Sequence, residues 1–190
     1  DSKFGFTADE ETVLPIVKKA LASKHIHLKG FHFHVGSQLF ENDYHLEALK
    51  KVLDLFLLVN KETGWEIEEL NVGGGFGAKY IDEDRKPFSY FLDPIMEAIK
   101  DFFEKNNKSV PTVAIEPGRS IVAEAGITLY SVGEIKEIKD LIKYVSVDGG
   151  MADNIRPALY QAEYTAIVAN KADKNYPDKE VVSICGKCCE

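Results

Sequence analysis

Asn71-Val72-Gly73-Gly74-Gly75-Phe76-Gly77 joins a strand-like stretch to a helix-like one, and how this run is read decides the fold. Glycine permits positive φ and lets several N–H groups converge, which makes a cup for an anionic phosphate. A strand-to-helix turn also takes glycine for purely steric reasons, so both readings stand at this point. The surroundings add weight to the first. His34 lies 39 residues before Gly73 and Glu116 lies 43 residues after it, each just past a short apolar run.

Working outward, Thr7 or Asp9 can cap a helix whose apolar positions Val13, Leu14, Val17, Ala20 and Leu21 follow helical spacing, with Ser23-Lys24-His25 marking its end. Residues 28–35 read as a strand in which Phe31, Phe33 and Val35 alternate with His32 and His34, giving one apolar and one imidazole-bearing face. A helix over 44–62 gathers Leu46, Leu49, Val52, Leu53, Phe56 and Val59 on one side, and Gly64 follows it. A strand over 68–72 leads into the glycines. A polar loop at 82–87, a helix over 91–106 and a strand over 111–115 ending at Glu116-Pro117-Gly118-Arg119 complete the pattern.

Helix then strand, three times, at about 40 residues per unit, is the cadence of a (β/α)8 barrel or a doubly wound sheet. Closure needs eight units, so the expectation is the C-terminal half of a (β/α)8 TIM barrel, with the other half upstream of Asp1. Near Gly126 the cadence breaks. Segments 127–138, 141–148, 163–168 and 180–184 are β-rich without long helices between them, and they predict part of an antiparallel β domain. The expected fold is α/β plus all-β, with residues 1–125 in the first domain and 126–190 in the second.

The 190 residues are 45% hydrophobic and 28% charged, enough apolar material for one core or two small ones. A net charge of -8 argues against nucleic acid or an anionic membrane as partner, and a small-molecule ligand fits better. The apolar stretch at 52–59 is too short to span a bilayer and no basic-then-apolar leader opens the chain, so the expected location is the cytoplasm. The chain opens Asp1-Ser2-Lys3 without Met and stops at Cys189-Glu190 just after a strand-like stretch, which predicts a portion of a longer polypeptide. Cys185, Cys188 and Cys189 crowd into the last six residues, with His45 the nearest histidine in sequence. No metal site is expected from that spacing, and reduced thiols are the simpler reading.

Residues at the C-terminal ends of barrel strands line one mouth, so His34, Gly73 to Gly75 and Glu116 are expected to converge. The set suits pyridoxal 5′-phosphate: a flat group against its ring, N–H donors for its phosphate, and an anion beside its pyridine nitrogen. The carboxylate keeps that nitrogen protonated, so the ring accepts electrons when a bond at Cα breaks. A sugar-phosphate barrel enzyme, with the glycines on substrate phosphate and Glu116 as base, is a competing reading.

Five ordered motifs narrow the choice: Phe33-His34-Val35-Gly36-Ser37-Gln38, Gly73-Gly74-Gly75-Phe76-Gly77, Glu116-Pro117-Gly118-Arg119, Val147-Asp148-Gly149-Gly150-Met151 with Arg156-Pro157-Ala158-Leu159-Tyr160, and Cys189-Glu190. Their order resembles the diaminopimelate decarboxylase family, within the alanine-racemase-like pyridoxal-phosphate enzymes that pair a barrel with a β domain. The likeness spans essentially the whole chain. It implies conversion of meso-2,6-diaminopimelate to L-lysine and CO2. It also implies that His34 stacks on the cofactor ring, that Ser37, Gly73 to Gly75 and the Glu116, Pro117, Gly118 and Arg119 loop hold phosphate, and that Glu116 pairs with the pyridine nitrogen. Arg119, Arg156 and Tyr160 are implied for the substrate's far carboxylate, Glu190 for its far ammonium, and Cys189 as the acid that returns a proton to carbon. In that family the residues matching Cys189 and Glu190 act in the site of the partner subunit, which implies a homodimer.

The chemistry agrees with the likeness. A guanidinium forks onto a carboxylate, and Arg156 and Tyr160 are four apart with Pro157 at a first helical position, so both can face one ligand. Diaminopimelate has an amino-acid head at each end, so its distal site needs cations as well as an anion. An ornithine or arginine decarboxylase of the same class, or a non-catalytic pyridoxal-phosphate-binding barrel protein, are the alternatives. Other residues read as bland: His32 as a hydrogen-bonded core residue, His25, His27 and His45 as solvated surface, Asp148 as a turn former, Cys185 as a small core residue, and Cys188 as a residue without a role. The family's lysine that anchors the cofactor, in a Tyr-Ala-x-Lys-Ala-Asn context, has no counterpart here, and Lys3 is not it. These 190 residues by themselves are therefore expected neither to decarboxylate nor to hold cofactor tightly.

Overall fold

Among the described residues, the buried apolar side chains belong to three helices, to the middle one of three short parallel strands, and to the segments just before and after that strand. The computed structural model describes residues 3–173 and 180–188. It separates into two units, Asp1–Lys79 with Asp84–Ala123 and Tyr80–Glu83 with Glu124–Glu190, each described by itself below.

In the first unit, α1 (Glu10–Leu21) is capped by Asp9, whose carboxylate accepts the Thr12 N–H at 2.7 Å. Then follow β1 (Gly30–His32), α2 (Asp43–Thr63), β2 (Glu69–Asn71), α3 (Phe88–Lys105), β3 (Thr112–Ala114) and the single turn α4 (Arg119–Val122). Helix α2 stops where Gly64 turns left-handed at φ 70, a conformation glycine adopts without a Cβ penalty. The strands pair in the order β1-β2-β3, all parallel, with Gly30, Glu69 and Thr112 in one row and His32, Asn71 and Ala114 in another.

Apolar positions at helical spacing explain the packing. Val13 and Val17 of α1, Leu49, Val52, Leu53, Phe56 and Val59 of α2, and Ile95, Ile99 and Phe103 of α3 close over Leu70 of the middle strand and Val72 just after it. Phe56 stacks on Phe103 at 5.5 Å, and the indole N–H of Trp65 donates to the Leu28 carbonyl. Each fully buried side chain of this size contributes about 1.5–3 kcal/mol of transfer free energy, so this cluster dominates the stability of the unit.

The second unit contains β4 (Val132–Ile138), β5 (Ile142–Val147), the one-turn α5 (Arg156–Tyr160) and β6 (Ser183–Cys185), in the sheet order β4-β5-β6. The β4–β5 pair is an antiparallel hairpin with an irregular register between Val132 and Ile135, but β6 runs parallel to β5, pairing Tyr144 with Ser183. The expectation of a purely antiparallel domain is corrected accordingly. Nor is there a strand at 163–168. The Thr165 N–H and hydroxyl both go to the Tyr80 carbonyl, so that backbone is committed to a loop contact. Among the described residues no helix is long and apolar enough to cross a membrane.

Candidate active site

The strand alternation sets which side chains reach the site. Phe31 and Phe33 turn toward the core, while His32 and His34 are exposed on the opposite face. Pairing continues past the short strands. The Phe33 N–H donates to the Asn71 carbonyl, the Val72 N–H to that of Ala114, and the Glu116 N–H to that of Gly73 at 2.7 Å. The C-terminal ends of the three strands are thereby drawn together around the glycines.

Those glycines are needed for close approach. A Cβ on Gly73 would sit 2.4 Å from the Phe33 carbonyl oxygen, on Gly74 2.1 Å from that of Glu116, and on Gly75 2.1 Å from that of Gly36. Gly73 and Gly75 also have φ of 75 and 87, where side chains are rarely tolerated. The Gly73 N–H donates to Asn71 Oδ1 at 2.9 Å and the Gly74 N–H to His34 Nδ1 at 3.4 Å. Since Nδ1 accepts, the neutral His34 ring carries its proton on Nε2.

Glu116 stands beside the same turn. Its Oε1 accepts from Asn71 Nδ2 at 2.8 Å and its Oε2 lies 3.6 Å from His32 Nε2. His32 is therefore not a core residue. Period-two alternation places it on the exposed face with His34, and its side chain is 52% exposed.

A second correction concerns His45. It is fully buried, its ring stacked on Phe76 at 5.3 Å and 6°, with Nε2 donating to the Gly74 carbonyl at 3.0 Å. The signal for it was present. Position 45 is four before Leu49 and seven before Val52, on the apolar stripe of α2. The glycine turn is thus held from beneath by an imidazole of α2 and from above by the strand ends. Gln38 adds a clamp further along, donating to the Ala78 carbonyl at 2.6 Å and accepting the Ala78 N–H at 3.1 Å, while Leu39 pairs in parallel with Phe76.

The remaining expected residues divide by unit. Ser37 is exposed in the loop after His34. Pro117 and Gly118 lead from Glu116 into α4, where the Ile121 N–H returns to the Gly118 carbonyl, and Arg119 opens that turn half-buried. Arg156 and Tyr160 belong to the second unit. The Arg156 guanidinium lies 5.4 Å from the Tyr80 ring centroid and 5.9 Å from that of Tyr160. Cys189 and Glu190 lie outside the described residues. Asp148 accepts the Ser131 N–H at 2.8 Å, a structural use, and Cys185 is half-buried in β6 while Cys188 is exposed.

One turn thus joins an imidazole, three glycines where a Cβ would strike neighbouring backbone, and a carboxylate held by an amide. That donor set matches a flat, phosphorylated ring with a basic nitrogen, and the residues fit pyridoxal phosphate on these grounds. Residues 1–123 match the family described as pyridoxal-dependent decarboxylase, pyridoxal binding domain, and the chain belongs to that family.

Among particular relatives, the chain is 44% identical to the diaminopimelate decarboxylase of Halalkalibacterium halodurans over all of this chain and 43% of that one. It superposes on the diaminopimelate decarboxylase of M. jannaschii in co-complex with L-lysine with a TM-score of 0.82 at 38% identity, covering 94% of this chain and 39% of that one. A lysine/ornithine decarboxylase complexed with cadaverine, from Vibrio vulnificus, gives 0.76 at 26% identity over 100% of this chain and 48% of that one. The chain spans less than half the length of the relatives it matches.

Proposed function

We propose that this chain forms part of an enzyme that decarboxylates meso-2,6-diaminopimelate to L-lysine with pyridoxal 5′-phosphate. The observation that carries the reading is that His34 and Glu116 both bond to the Gly73-Gly74 turn, one to each glycine. When bound, the cofactor supplies an electron sink for the pair left on Cα as CO2 departs. His34 lies against its ring, and Glu116 holds the proton on its pyridine nitrogen. Gly73 and Gly74, whose own N–H groups go to Asn71 and His34, shape the turn, and Gly75, Ser37 and the 116–119 loop present N–H and hydroxyl donors to phosphate. Arg119, Arg156 and Tyr160 bind the distal carboxylate, Glu190 binds the distal ammonium, and Cys189 returns a proton to carbon. Residues 1–125 are read as half of a (β/α)8 barrel and 126–190 as part of a β domain, in a cytoplasmic homodimer whose sites are completed by Cys189 and Glu190 across the interface.

What favours diaminopimelate over ornithine is Arg156, a cation that a diamine-forming enzyme has no distal carboxylate to satisfy. The test is CO2 release by the intact protein carrying this chain, with meso-diaminopimelate, where lysine is the other product, and with ornithine, where a diamine is. Arg156→Ala is expected to cut kcat/KM for diaminopimelate by about 10²-fold, the loss of one charge-assisted pair, and to leave any ornithine turnover unchanged. Equal loss on both substrates would remove Arg156 from the distal subsite. Turnover of ornithine alone would replace this reading with the diamine-forming one.

A further inference from the structure

Asn71 is the last residue of β2, in the row His32–Asn71–Ala114, and its single carboxamide is bonded at both ends. Oδ1 accepts the Gly73 N–H at 2.9 Å, an Asx-type turn onto the glycine run, and Nδ2 donates to Glu116 Oε1 at 2.8 Å. We propose that Asn71 is a positioning residue that ties the glycine turn to the Glu116 carboxylate, so that the phosphate end and the ring-nitrogen end of the cofactor site are held at one spacing. This rests on the cofactor reading above. It assigns Asn71 a role outside the residues expected to touch the ligand.

The chemistry is particular to an amide. Aspartate has the same shape and can accept from Gly73, yet it has no N–H for Glu116 and sets a like charge against it. Alanine does neither. With Oε1 accepting from Asn71, the carboxylate is oriented by that bond, and Oε2, 3.6 Å from His32, keeps capacity to accept from a further donor. The Gly73 carbonyl accepts the Glu116 N–H, so the same two segments are tied again through their backbones, and the side-chain clamp sets orientation within an already fixed frame.

Two variants of the intact apoprotein separate the ends, with pyridoxal 5′-phosphate and unphosphorylated pyridoxal as probes and the melting curve as a check of folding. Pyridoxal affinity reads the ring end, and the ratio of the two affinities reads the phosphate end. In Asn71→Asp the ratio is expected to stay within about twofold while pyridoxal itself weakens about tenfold or more, the loss of one bond to a charged group. In the same variant kcat falls with substrate KM unchanged. In Asn71→Ala both the ratio and the pyridoxal affinity fall by about that factor. Equal shifts of both probes in both variants, or no shift in either, overturn the role of Asn71 while leaving the cofactor reading in place. Wild-type apoprotein that binds the phosphorylated probe no more tightly than pyridoxal overturns the cofactor reading and this inference with it.

Discussion

At Gly74 the backbone of one strand end passes so near another that a single carbon decides whether the site exists. An alanine there would put its Cβ 2.1 Å from the Glu116 carbonyl oxygen, and that oxygen belongs to backbone already bonded into the sheet. Gly74→Ala is therefore expected to destabilise the protein by about 2–3 kcal/mol, read as the urea midpoint. Gly126→Ala, with nothing within 4 Å, is the control and should stay within about 0.5 kcal/mol of wild type. A Gly74 variant as stable as the control would mean that the strand ends move apart freely. Much of this neighbourhood was legible from residue types: His34, the glycines and Glu116 stand together. His45 was not, because a histidine on a helix reads as polar unless its place on the apolar stripe is given precedence. Asn71 and Gln38 escaped for a different reason. Their use is hydrogen bonding to backbone some distance along the chain or around a turn, and such pairing has no periodic signature.

Among the elements, the helices were the most legible, since Leu49, Val52, Leu53, Phe56 and Val59 repeat at 3.6 and Gly64 marks their end. Strand direction was the least. Whether β6 lies parallel or antiparallel to β5 depends on the path of the chain after 148, and nothing within Ser183–Cys185 encodes it. Residues 163–168 have strand composition, but a strand needs a neighbour's free ladder groups, and there the Thr165 N–H is taken by Tyr80. The links between elements are partly ionic. The Lys108 ammonium, which follows α3, donates to Glu66, which precedes β2, at 2.7 Å, and Asn60 of α2 donates to the same oxygen. The Lys108 bond holds the Glu66 carboxyl below its ordinary range. A depressed folded value means that this contribution is present above the unfolded carboxylate pKa and lost as pH falls through the folded one. Glu66→Gln is thus expected to cost a few tenths of a kcal/mol at pH 7, with the difference from wild type narrowing below about pH 4. A difference in urea midpoint that stays constant down to acid pH would show that the pair contributes nothing.

Taken as a whole, the described molecule is uneven in burial. Its hydrophobic cluster lies within the first unit, whereas every residue of β4 in the second is exposed, Val132, Ile135 and Ile138 included. Amides that open locally exchange fastest where few apolar contacts resist opening. Hydrogen exchange of the 190-residue chain is expected to leave α2 and α3 protected for at least about tenfold longer than β4 and β5. Uniform protection across both units would contradict the burial seen here. The two-part division of the sequence rested on a change of cadence, which follows local pattern, while the extent of burial in each part depends on what covers it and leaves no such trace.

The register of the parallel sheet has a kinetic side as well. Gly30 meets Glu69, and Glu69 meets Thr112, so each pairing brings together points about 40 residues apart in the chain. Helices α2 and α3 can nucleate within their own stretches, but no rung of the sheet can form until a loop of that length has closed, at an entropic cost of about 3 kcal/mol each. The search for those rungs, more than the winding of helices, sets how long the newly made chain leaves its strands without neighbours.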